Sequence, residues 1–82
     1  MPYIKPADRE RLTLPALAIE TPGELNYLVT SLALQYVRRH GTSYATMNAV
    51  TGALECAKSE FYRRVCAPYE DAKIAENGEV FG

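Results

Sequence analysis

The chain has no tryptophan, one histidine and two cysteines in 82 residues, and its net charge is only −1. Each shortage excludes a class of function. Cys56 and Cys66 fit no zinc spacing, and the single His40 supplies no ready partner for them, so neither a metal site nor a cofactor is expected. Ten residues apart on one helix, the two thiols stand about 15 Å apart along the axis, too far for an intrachain disulfide. The longest apolar-rich stretch, Leu25 to Val37, is interrupted by Asn26, Thr30, Ser31 and Gln35. It falls short of the roughly 20 apolar residues that cross a bilayer, and no membrane association is expected. The opening residues carry no hydrophobic segment of the signal-peptide kind, so a cytoplasmic protein is expected. With a charge this close to zero and few exposed cations expected on the long helices, no nucleic-acid partner is expected.

What the chain does have is ordinary globular composition, 48% hydrophobic and 23% charged. One small domain, residues 1–82, is expected. At this size a solitary core supplies only about 3–5 kcal/mol.

Three breaks divide the chain, at Thr21-Pro22-Gly23, His40-Gly41-Thr42 and Ala67-Pro68. Before the first, Pro6 suits the opening turn of a short helix through Leu12, and Pro15 the opening of a second turn, giving two short helical pieces or one kinked one that ends near Ile19. Leu12, Leu14, Leu17 and Ile19 are its core candidates. Thr21-Pro22-Gly23-Glu24 is a capping-box pattern, with Thr21 as N-cap and Glu24 reaching back. Leu25, Leu28, Val29, Leu32 and Tyr36 then recur at helical spacing. Arg38, Arg39 and His40 suit the negative end of the dipole, and Gly41 suits the stop.

A second long helix is expected from an N-cap at Thr42 or Ser43 to about Cys66. Its large row is Tyr44, Met47, Val50, Leu54, Phe61 and Val65, and its small row Ala45, Ala49, Gly52, Ala53 and Cys56. Pro68 is expected to end or kink it. A short helix then runs over 69–76, stopping at Asn77-Gly78, before a tail whose Val80 and Phe81 are apolar enough to dock on something. The expected fold is all-α: an antiparallel helical hairpin, about 22–40 and 44–66, with short flanking helices at both ends. A hairpin buries about one face of each helix, and these helices are apolar beyond one face. A homo-oligomer is therefore expected.

The charges are unevenly placed. Residues 38–67 hold five cations (Arg38, Arg39, Lys58, Arg63, Arg64) against Glu55 and Glu60, whereas residues 68–82 hold Lys73 against four acids. Arg63-Arg64 is flanked by Tyr62 and followed by Tyr69. Guanidinium groups grip phosphate oxygens and aromatic rings stack on bases, so these four residues are a candidate site for a small anionic, nucleotide-like ligand. Arg38, Arg39, Tyr3 and Lys5 are second-rank candidates. The competing reading needs no ligand: each arginine pair caps a helix dipole, and Arg63-Arg64 pairs with Glu60, Glu70 or Asp71.

Catalysis has little to work with. The chain contains no GxSxG, P-loop, HExxH or GxGxxG pattern. Glu55, placed partly toward the core, is a general-acid candidate only if buried; the plainer reading is a structural pair with Lys58, Ser59 or a tyrosine hydroxyl. No catalytic residue is assigned, and an enzyme is not expected.

Met1-Pro2-Tyr3-Ile4, Pro22-Gly23-Glu24-Leu25-Asn26-Tyr27, Gly52–Lys58, Glu60–Val65, Ala67–Asp71 and Lys73–Gly78 together resemble a family of short uncharacterised phage, prophage and bacterial proteins. The Glu60-Phe61-Tyr62-Arg63-Arg64, Pro68-Tyr69-Glu70-Asp71 and Asn77-Gly78 blocks are the specific part. The stretch from Arg11 to Ile19 is shorter than the family pattern, which implies a truncated or broken first helix. The resemblance implies no activity. It implies a small helical protein that acts by binding, either blocking a host protein or sequestering a nucleotide signal at an oligomer interface. The resulting expectation is a non-catalytic helical binding protein. The alternatives are a protein–protein module docked on a host or virion protein, and a small enzyme or nucleic-acid accessory protein.

Overall fold

The computed structural model describes residues 4–82 and is all-α, with no strand among them. Its elements are α1 (Pro6–Arg11), α2 (Pro22–His40), α3 (Tyr44–Phe61), a π-helical turn (Tyr62–Cys66) and α4 (Ala67–Asn77). The chain divides into two units, one ending at Val50 and the other running from Thr51 to Gly82.

In the first unit, α1 opens on Pro6 and ends where the Thr13 hydroxyl donates back to the Arg9 carbonyl at 2.9 Å. The second helical piece expected after Pro15 does not form; residues 13–20 are non-helical. A proline pushes the residue before it out of the helical region, and Thr13 has already turned the backbone aside.

The long helix α2 begins and ends as the residue pattern predicts. The Glu24 amide donates to the Thr21 hydroxyl at 3.1 Å, and the Thr21 amide donates to the Glu24 carboxylate at 2.9 Å. The Glu20 amide adds a third bond to that carboxylate, at 2.7 Å. Gly41, at φ 87°, ends the helix and donates to the Val37 carbonyl. Ser43 caps α3, its hydroxyl accepting from the Thr46 amide at 3.1 Å, and Thr46 is buried.

In the second unit the backbone does not break at Pro68. It passes from α3 through the π-helical turn into α4, with the Ala67 amide donating to the Tyr62 carbonyl five residues back. Phe61 and Ala67 on either side keep ordinary right-handed helical angles. The reason lies in Pro68, which has no N–H for the Arg64 carbonyl and whose ring would strike that carbonyl in a regular helix. Widening one turn by a residue moves the carbonyl away while the helix continues. Gly78, at φ 91°, closes α4 by donating to the Ile74 carbonyl.

No hydrophobic residue among those described is buried. The core candidates Leu12, Leu14, Leu17 and Ile19 are exposed, as are Leu25, Val29, Leu32 and Tyr36 along α2. In the second unit Leu54, Phe61, Val65 and Tyr69 are exposed too, and the tail residues Val80 and Phe81 are almost bare. Helical periodicity places these apolar rows, and among the described residues they remain exposed.

Candidate functional site

The π-helical turn carries most of the leading ligand candidates. Arg63 lies 3.9 Å from the Glu60 carboxylate, and the Arg64 guanidinium donates to the same carboxylate. Glu60 sits one turn earlier, at i−3 and i−4, where helical geometry makes such pairs meet. The Arg64 hydrogen bond, with the charges of both arginines behind it, holds the Glu60 carboxyl below its ordinary value. Both guanidinium side chains remain well exposed.

The Tyr62 hydroxyl donates to Glu70 at 3.3 Å. The Glu70 charge, then that hydrogen bond, raises the tyrosine's pKa above its ordinary value, because a nearby anion disfavours the phenolate. The Tyr69 ring is exposed and has the Lys73 ammonium 5.6 Å from its centroid. Tyr62, Arg63 and Arg64 therefore share one turn, with Tyr69 on the next. Each already has an intrachain partner: Glu60 for the arginines, Glu70 for Tyr62 and Lys73 for Tyr69.

The second-rank candidates belong to the first unit. Arg38 and Arg39 are exposed in the last turn of α2, where the Tyr36 and His40 rings meet at a 39° tilt with centroids 4.3 Å apart. Lys5 precedes α1 and is exposed. Tyr3 lies outside the described residues.

Glu55 is not turned toward a core. Its side chain is 69% exposed and stands 3.9 Å from Lys58, a surface ion pair. Cys56 and Cys66 are free and half-buried. Among the described residues no His, Cys, Asp and Glu group is placed to hold a metal ion, and no helix is long and apolar enough to cross a membrane.

The first unit also contains a groove of about 580 Å³ that the sequence reading did not anticipate. The non-helical segment at Leu17 and Ile19 forms one wall, and Tyr27 and Leu28 of α2 form the other. No local signal marks the groove: Pro15 and the apolar Leu17 and Ile19 suit a short helix as well as the non-helical path the chain takes.

A family described as a domain of unknown function (DUF6899) matches residues 1–80. A search of curated proteins found no match, and neither did a search of solved structures. With nearly the whole chain covered by that match, the protein belongs to the DUF6899 family.

Proposed function

We propose that this is a non-catalytic helical binding protein, cytoplasmic and of phage or prophage type, whose working form is a homo-oligomer. One observation carries the reading: the apolar rows of α2 and α3–α4 are exposed, and no described hydrophobic residue is buried. Burying apolar surface yields about 25 cal/mol per Å², the main favourable term in folding. Helices of this length are marginal by themselves in water. A chain that leaves these rows bare gains that stabilisation by joining to another chain, and binding is then the chemistry at hand. If folding and association are linked, helicity and melting temperature rise with protein concentration. Circular dichroism melts across about a hundredfold dilution test this, and a melting curve independent of concentration would remove the reading.

The phosphate-bearing ligand is the second reading, supported by two exposed guanidiniums adjacent on one helical turn beside Tyr62. Glu60 competes with any anion there, which makes this reading the weaker of the two. Calorimetric titration with linear and cyclic nucleotides tests it, and no binding at millimolar concentration would remove the ligand.

A further inference from the structure

We propose that the helix face carrying Leu54, Phe61, Val65 and Tyr69 pairs antiparallel with the same face of a second copy, about a two-fold axis at Ala67. The proposal rests on the homo-oligomer reading and names its surface, partner and orientation.

The four side chains are 43%, 60%, 52% and 65% exposed. In a regular helix Phe61 and Tyr69, eight residues apart, would be rotated about 80° from one another. The π-helical turn absorbs one residue and brings the later position back beneath the earlier one. The Tyr62–Glu70 hydrogen bond, also eight residues long, records the same realignment. The apolar row therefore continues across the turn from α3 into α4.

Charge selects the occupant and its direction. Counted outward from Ala67, Arg64 and Glu70 stand three residues away on opposite sides, Arg63 and Asp71 four, and Lys58 and Glu76 nine. An antiparallel copy turned about Ala67 brings each of these cations to within about one residue's rise of an acid, the offset coming from the residue that the π-helical turn absorbs; Arg63 and Asp71, two residues from Phe61 and Tyr69, lie on the far side of the helix and outside the seam. Glu60 and Lys73, the remaining charges between 58 and 76, fall level with the apolar Ile74 and Phe61. That register contains no like-charge pair within residues 58–76. A parallel pairing sets each charge against itself, which is destabilising. Lys58, three residues before Phe61, and Glu76, seven after Tyr69, border the apolar row, so their signs bear directly on the seam. A self-complementary patch of this kind is what a two-fold interface requires.

The test is a charge swap, read as the self-association constant by sedimentation equilibrium. Lys58→Glu and Glu76→Lys each place two like-charge contacts in the antiparallel pair and raise its dissociation constant about tenfold. Mixed in equal amounts, the two variants restore opposite charges at both ends and recover wild-type affinity. The double variant does the same alone. Both substitutions exchange one good helix former for another at exposed positions, and circular dichroism confirms retained helicity. Association of the wild type that neither single variant weakens, or variants that mixing does not rescue, would overturn the antiparallel pairing and leave the oligomer reading standing. A wild type that never associates would overturn both.

Discussion

Tyr62 donates its hydroxyl proton to Glu70, eight residues further along the chain and 3.3 Å away. In an unbroken α-helix those two side chains diverge; the π-helical turn between them makes them neighbours. Replacing Glu70 by Gln removes the charge that disfavours the phenolate. The Tyr62 pKa is then expected to fall toward the ordinary tyrosine value, read as the phenolate absorbance change on alkaline titration. An unchanged Tyr62 titration would show that the two side chains are not held together.

The capping box at the start of α2 sets a stability difference and a pH dependence. Thr21→Ala removes the hydroxyl that accepts from the Glu24 amide, and is expected to cost about 1 kcal/mol, measured by denaturant unfolding. The Glu24 carboxyl is held below its ordinary value by the Glu20 amide and then the Thr21 amide, and Glu60 likewise by Arg64. Because both folded values are depressed, their stabilisation is present above the ordinary carboxylate range and is lost as pH falls through the depressed values. Glu24→Gln is expected to flatten part of that acid loss, read as helicity against pH.

Gly41 joins α2 to α3 at φ 87° and ψ 154°, a region that glycine alone occupies readily. A methyl group there meets no atom within 4 Å, so the penalty is one of backbone conformation. Gly41→Ala is expected to cost about 1–3 kcal/mol in thermal unfolding. A neutral result would mean that the link relaxes to another geometry.

Glu60 answers both arginines of the candidate ligand site. Glu60→Gln removes the competing negative charge. If the site takes phosphate, nucleotide affinity by calorimetry is expected to rise; if the arginines serve only the helix, the substitution leaves nucleotide binding undetectable.

The chain's own pattern reveals α2 most fully. Thr21-Pro22-Gly23-Glu24 and Gly41 are local signals, and local hydrogen bonds satisfy them. The π-helical turn is not legible in that way. Pro68 reads as a break because a proline cannot fit a regular helix interior; that the backbone widens instead depends on both flanking segments favouring helix. Leu17 and Ile19 read as core residues for their hydrophobicity, but burial is decided by what else packs there, and no local pattern carries that information. At the candidate site, the Glu60–Arg64 pair is visible from its spacing of four. The Tyr62–Glu70 pair is not, because eight residues place two side chains together only once the turn is widened.

Sedimentation velocity over a wide concentration range tests the central claim most directly. The account predicts species of at least twice the 9.1 kDa chain mass, shifting toward the monomer only on strong dilution. A single 9.1 kDa species at every concentration, still helical, would contradict it.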